Sequence, residues 1–418
     1  MTFNRADILL PDGVDYSKWS VVACDQYTSE PDYWKEVEAY VDDLPSSYNL
    51  ILPEIYLEND DVDSKIKIIN DNMIKYIKSD ILKEYKNSYI YVERTQRNGK
   101  VRKGIVGAVD LEDYNYEKGS KSAIRATEGT VTERIPPRLK VRINAKLELP
   151  HVMLLIDNPQ KDIIEYISEK KSQMEKVYDF DVMMNSGHLS GWLLTDELAD
   201  YLESKLNSLS DVNEFNKKYS VNEATPLVFA VGDGNHSLAT AKEYYRIMKD
   251  KYGEAAMHGP ARYALTELVN LHDESLVFEA IHRVVFDVDV DKFKAELNKF
   301  AVADKSSEGQ NFVFVHDGIK TQMSVKNPDA NLTVGSVQNF IDKYISENGG
   351  KVDYIHGEDV VMELAKGNNC GIILDAMSKN DLFKTVILDG ALPRKTFSMG
   401  DACDKRFYNE ARVINENL

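Results

Sequence analysis

Apolar residues follow two different periods along this chain. In SKIKIINDNMIKYIKSDILKEY, Ile66, Ile69, Met73, Ile77 and Leu82 recur near helical spacing, which predicts one long amphipathic helix over residues 64–85. SYIYVERTQRNGKVRKGIVGAVDL instead shows two β-rich runs around Asn98-Gly99, the pair preferred in a type I′ hairpin turn. WSVVACDQY predicts a buried strand, and Ser29 with Pro31 and Asp32 predicts the cap and first turn of a following helix. HVMLLID reads as a strand, KDIIEYISEKKSQMEKVY as a helix, and GHLSGWLLTDELADYLESKLNSL as a strand followed by a helix. RYALTELVNLHD and LVFEAIHRVVFDV read as strands, and the last third cycles between short helices and strands.

This alternation predicts an α/β to α+β protein rather than a bundle or sandwich. We expect a mixed-sheet N-terminal domain over residues 1–275 that binds an anion or nucleotide. A smaller α+β domain over 276–390 follows, and a tail over 391–418 packs back on the core. Composition agrees with a folded chain: of 418 residues, 43% are apolar and 29% charged. Lys plus Arg number 51 against 69 Asp plus Glu, leaving a net charge of −18. That field disfavours duplex nucleic acid and anionic membranes as partners. Three cysteines are too few and too scattered for a disulfide framework or a cysteine zinc site. The histidines show no paired ligand spacing, so neither zinc nor haem is expected. No apolar run reaches membrane-span length, so the expected location is the cytoplasm. Oligomeric state is not readable from the chain.

The best-defined unit is TPLVFAVGDGNHSLATAKEYYRIM, an apolar strand, a glycine-containing turn and a helix. Gly232 and Gly234 permit close backbone approach and positive φ. Amides at the start of the following helix suit a phosphate or carboxylate. Asp233, Asn235 and His236 would surround such an anion. His236 could contact phosphate or shuttle a proton, and Asp233 could hold Mg²⁺ or act as a base. The alternative is a tight β–α turn whose Asp and Asn serve capping. G-x-G-x-x-G is missed by one residue, because Ser237 replaces its third glycine.

A second candidate is the stretch 121–142. It holds Lys121, Arg125, Arg134, Arg138, Lys140 and Arg142 against only Glu128 and Glu133. Pro136-Pro137 would open a helix placing Arg138 and Arg142 one turn apart on one face. Arg125 and Arg138 could clamp anionic oxygens, with Glu128 as a second carboxylate, or the stretch could be a solvated basic face. Asp25 and Glu30, at the end of the first strand, are further candidate carboxylates. A lone strand histidine such as His282 is more often a core residue.

GDGNHSLATAKEYY resembles the A-D-G-H-H-R-Y-x-T-A segment of a bacterial and archaeal domain-of-unknown-function family, family ten-fifteen. Arg125-Ala-Thr-Glu128 with Arg138-Leu139 resembles that family's H-E-x-T and D-R-L. His282-Arg283 resembles its P-x-H-R strand, and Pro393-Arg394-Lys395-Thr396-Phe397 its P-x-K-S-T-x-F. These matches run from about residue 20 to residue 410. Asn235 and Ser237 stand where the common form has His and Arg, and ACDQYT replaces P-P-Y-D-V, which marks a divergent member. The turn is also similar to that of the ParB/sulfiredoxin superfamily, whose members bind nucleotide phosphates there and include a free serine kinase. The resemblance implies a small-molecule phosphotransferase using ATP or ADP with Mg²⁺. It would use Asp233, His236 and Glu128 for catalysis. Gly232, Gly234, Asn235, Arg125, Arg138, His282, Arg283 and Lys395 would hold the ligand, and Asp233 the metal. The alternative is a non-catalytic regulatory protein that binds a nucleotide or metabolite. Either way the expected partner is a small anionic or phosphorylated molecule.

Overall fold

The computed structural model describes residues 2–22, 27, 30–149, 152–304, 309–400, 402–405 and 407–415. Cys24, Asp25, Ser29 and His151 therefore lie outside the described residues. The chain forms two compact units. One holds Met1–Ala126, Thr130–Leu276 and Gly400–Leu418; the other holds Thr127–Gly129 and Val277–Met399.

The first unit is built on a ten-stranded mixed sheet. Its strands are β1 (Phe3–Asn4), β2 (Ile90–Thr95), β3 (Val101–Asp110), β4 (Tyr114–Asn115), β5 (Ile124–Ala126), β6 (Met153–Ile156), β7 (Glu175–Asp181), β8 (His188–Leu193), β9 (Phe229–Asp233) and β10 (Tyr263–Asn270). Across the sheet the order is β7-β8-β2-β3-β10-β6-β9-β5-β4, with β1 on β3. β6–β10, β9–β5 and β4–β5 are parallel, and the remaining pairs are antiparallel. Both faces are covered, which is why the central strands read as nearly continuous apolar runs. Tyr91, Ile105, Leu154 and Leu268 belong to the core on one face; Ile90, Val92, Val106 and Leu265 belong to the core on the other.

Helix α1 (Val62–Lys78) buries Ile66, Ile69, Met73 and Tyr76. It stops short of the expected residue 85, because Asp80 turns the backbone left-handed at φ 54°. Leu82–Ser88 is instead a strand paired with Ala6–Pro11. The helix expected over 161–178 is likewise confined to Ile164–Glu169 and a single turn at Lys171–Gln173. Beyond it, Val177, Tyr178 and Phe180 join β7, where β-branched and aromatic side chains suit the pleated surface. The hairpin β2–β3 exists, but not with a type I′ turn. Gly99 donates its N–H to Gln96 O, Gln96 donates to Lys100 O, and only Gly99 has positive φ (79°), so a three-residue loop closes it. The helix Pro31–Val41 has Pro at its first position, and Glu30 rather than Ser29 at the N-cap, without a side-chain capping bond. Helix α2 (Ile135–Arg142) opens on Pro136-Pro137 as expected, and α3 (Asn235–Tyr252) follows β9.

The second unit holds a six-stranded sheet. Its strands are β11 (His282–Phe286), β12 (Ala301–Val302), β13 (Asn311–His316), β14 (Ile319–Val325), β15 (Lys351–Ile355) and β16 (Cys370–Ile373), in the order β12-β14-β13-β16-β11-β15. Helices Val290–Phe300, Thr333–Asn348 and Lys379–Asp389 accompany it. Val284, Val315, Val361 and Ile373 form part of its core.

Candidate functional site

The two glycines of the β9–α3 turn are needed for different reasons. Gly234 is the N-cap of α3 and takes the left-handed conformation at φ 81°. Gly232 has no such φ, but a Cβ there would stand 2.8 Å from Leu155 Cγ. Gly232 also falls in a register shift. Val231 pairs with Leu154 and Asp233 with Met153, so one extra residue is accommodated on β9. Such a bulge reverses which face the next side chain takes. Asp233 thereby shares the face of Met153, and Met153 is in turn paired with Glu267 of β10. Two strand spacings of roughly 4.8 Å put Asp233 and Glu267 about 10 Å apart in one row.

Glu267 is fully buried and leans over Gly104, where a Cβ would collide with its Oε1. The carboxylate thus reaches Arg102, whose Nε lies 3.5 Å away. Arg102 faces Arg94 across the β2–β3 pair. The chain end then bridges the row to the turn. Arg102 donates to Asp404 O (2.9 Å), Arg94 to Cys403 O (3.0 Å), and Lys405 Nζ stands 3.2 Å from Asp233 Oδ2. Three acids (Asp233, Glu267, Asp404) and three bases (Arg94, Arg102, Lys405) balance; the buried Arg94, Arg102, Glu267 and Asp404 require it, while Asp233 and Lys405 stay partly in water. Burial first, then the like charge of Arg102, pushes the Arg94 guanidinium down to about 9. This row was missed in the sequence. Its signal was charge inside apolar strands: Arg94 and Arg102 in the hairpin, and Glu267 within YALTELVN.

At the turn itself, the Gly234 N–H donates to Asp233 Oδ1 at 2.9 Å. Helix α3 has no side-chain cap and no acid in its first turn, so no side chain of that turn neutralises its positive end. Asn235 Oδ1 is buried without a hydrogen-bond partner. His236 Nε2 accepts the Val131 N–H at 3.3 Å, so that nitrogen carries the lone pair and Nδ1 the proton of a neutral ring. Among the described residues, no three His, Cys, Asp or Glu side chains cluster closely enough to hold a metal ion.

The expected arginine clamp takes another form. Arg125 is buried on β5, donating from Nε to Ser122 O (2.8 Å) and from Nη2 to Thr225 O (3.1 Å). Burial lowers its pKa, opposed by Glu223. Its guanidinium ties the β5 approach to the β9 approach instead of reaching out to a ligand. Arg138 is paired with Glu54, and Arg142 with Glu148. Four other candidates belong to the second unit. Glu128 is exposed there. His282 Nδ1 accepts the Leu374 N–H at 3.2 Å, and burial lowers its pKa. Arg283 is fully buried and donates to Gln338 Oε1 (3.1 Å) and to the carbonyls of Arg394 and Lys395 (3.0 Å each). It thereby holds Lys395, which is exposed with φ 53°. The structure therefore gathers Gly232–His236 with Lys405 in one unit, and joins Arg283 to Lys395 in the other.

The fold and this turn define a mixed α/β protein with an uncapped helix N-terminus at a strand–glycine turn–helix junction. The chain belongs to the family described as protein of unknown function (DUF1015), which matches residues 9–344. No curated protein matches it by sequence. Similar solved structures include a conserved hypothetical protein from Pyrococcus furiosus (12% identity, TM-score 0.35, covering 76% of this chain and 96% of that one). A free serine kinase in complex with AMP is similar at 12% identity and TM-score 0.38, covering 74% and 92%. A C-terminally truncated SbnI from Staphylococcus aureus is similar at 9% identity and TM-score 0.36, covering 72% and 85%.

Proposed function

We propose that this protein binds a nucleotide or another phosphorylated small molecule at Gly232–His236 and transfers a phosphoryl group to or from a small polar acceptor. The observation that carries this reading is the turn: a left-handed Gly234 opens an uncapped eighteen-residue helix, with Lys405 beside it. Helix amides and Lys405 would meet the phosphate oxygens. The bulge at Gly232 presents Asp233 on the sheet face shared with Glu267, where it can accept a proton or serve Mg²⁺ arriving with the nucleotide. His236 would offer its Nδ1–H to an anionic oxygen. Phosphoryl transfer asks mainly for positioning and electrostatic stabilisation, which such groups supply.

One observation favours the alternative of a non-catalytic, ligand-binding regulator. Asp233 is already engaged on both oxygens, by Lys405 and by the Gly234 N–H, which makes its carboxylate less available as a base or a metal ligand. Titration calorimetry with a panel of nucleotides and phosphorylated metabolites tests the shared premise. Binding to the intact protein, lost in Asp233→Ala and His236→Ala, is expected; no binding at all would overturn both readings. Phosphorylated product from a bound nucleotide and a panel of small hydroxyl acceptors decides for the kinase.

A further inference from the structure

We infer that Asp404 is a positioning residue, fixing the backbone from which Lys405 reaches Asp233. Lys405 is the cation that the proposed anion site draws on, so the role of Asp404 rests on that reading. The side chain of Asp404 is 6% exposed, and the residue is held at two points. Its carbonyl accepts from Arg102 Nη1 at 2.9 Å. Its Oδ1 accepts the Arg97 N–H at 3.2 Å, with Arg94 Nη2 3.6 Å away. The carbonyl before it, on Cys403, accepts from Arg94 Nη2 at 3.0 Å, and the same nitrogen donates to Ser186 O in the β7–β8 loop. Two guanidiniums that are almost wholly out of water thus converge on a single turn of the chain end, Ala402–Asp404. Burying charge in this way is costly, and a turn that merely closed the surface would not require it.

Lys405 follows directly, in different surroundings. Its side chain is 18% exposed and that of Asp233 30%, so this pair stands at the edge of water. An ammonium on a flexible four-carbon stem swings about its own Cα. Of the six charges in the row, Lys405 is therefore the one able to move from Asp233 to an arriving anion and back. Moving away leaves Asp233 Oδ2 free to act. Because the backbone is held at Cys403 and Asp404, the arc is short and keeps the ammonium at the turn.

Carbodiimide cross-linking of the intact chain tests this without a ligand. The reagent activates the Asp233 carboxylate; the Lys405 amine attacks its carbonyl carbon and loses a proton, and the reagent leaves as a urea carrying the carboxylate oxygen. The amide so formed joins only groups in contact, and its yield is read by mass spectrometry of the digest. Asp404→Ala should lower that yield at least about tenfold, because a displacement of about an ångström costs a reacting pair that much. Asp404→Asn keeps an acceptor for the Arg97 N–H and should restore most of it. A second variant covers the case in which Asp404→Ala does not fold. Arg102→Met with Glu267→Met exchanges a buried ion pair for apolar side chains, which such sites accept, and strips the Asp404 carbonyl of its donor. It should lose the cross-link too. No cross-link in the intact chain, full yield in either folded variant, or equal loss in Asp404→Asn would overturn the inference. Nucleotide calorimetry separates it from the anion reading. Lys405→Met and Asp404→Ala should each weaken binding, and together no more than Lys405→Met alone; additive losses would show that Asp404 acts without Lys405. A cross-link that behaves as expected in a chain that binds no nucleotide sinks the anion reading alone.

Discussion

Single residues decide how the turn is made. Gly232 is needed for space and Gly234 for conformation, so their alanine variants should differ. Gly234→Ala should cost about 1 kcal/mol through its positive φ. Gly232→Ala should cost about 1–3 kcal/mol, since Leu155 must move, and should also misplace Asp233. Urea denaturation of both variants, with nucleotide titration of each, checks the order. Glu267→Gln removes the carboxylate opposite a buried Arg102 and should destabilise by about 3–5 kcal/mol; a loss under 1 kcal/mol in the same assay would show that Arg102 is compensated elsewhere. His282 must stay neutral on Nδ1 to accept the Leu374 N–H. Its folded pKa lies below the ordinary 6.5, so the unfolded chain takes up the proton first. Stability from His282 is complete above pH 6.5 and declines as pH falls below it. His282→Asn should flatten that part of a melting-temperature profile.

At the scale of elements, local pattern predicted type well and boundaries less well. The apolar period of α1 was legible, but Leu82 fits the helical spacing by coincidence, since Asp80 had already reversed the backbone. Lys161–Tyr178 joins a short helix to a strand, and the Tyr178 and Phe180 alternation is what signals the change. Asn98-Gly99 suggested a two-residue turn, whereas Gln96–Lys100 closes a longer one in which Gly99 alone needs the left-handed region. A Cβ at Gly99 meets nothing within 4 Å, so Gly99→Ala isolates the backbone cost, expected at about 1–2 kcal/mol by thermal denaturation. The basic stretch 121–142 also reads differently once its elements are in place. Arg125, Arg138 and Arg142 each have partners inside the first unit, so an excess of arginine in sequence is not an open clamp in space.

For the molecule as a whole, the charge of −18 is not uniform in effect. It predicts no measurable binding to duplex DNA at about 0.15 M salt by fluorescence anisotropy. Among the described residues no helix is long and apolar enough to cross a membrane. Acid should unfold the protein partly through Asp157. Burial would raise its pKa, but His272, Lys218 and Tyr219 bind it and hold it at about 2. That contribution, about 2 kcal/mol, is present above pH 3.8 and lost as pH falls towards 2. Asp157→Asn should remove it, seen as a shallower decline in stability over that window.

What the sequence determined by itself was local: alternating periods that specify a mixed α/β fold, and a strand–glycine turn–helix unit whose glycines let the chain turn tightly into the helix. Those properties depend on neighbours a few residues apart. Tertiary structure decided everything that depends on pairing between distant strands. The bulge at Gly232 moves Asp233 to the face of Glu267, and Asp404 and Lys405 reach Arg102 and Asp233 from the far end of the chain. No periodicity within one segment records such contacts, because each side chain's partner is set by register across the sheet rather than by spacing along the chain.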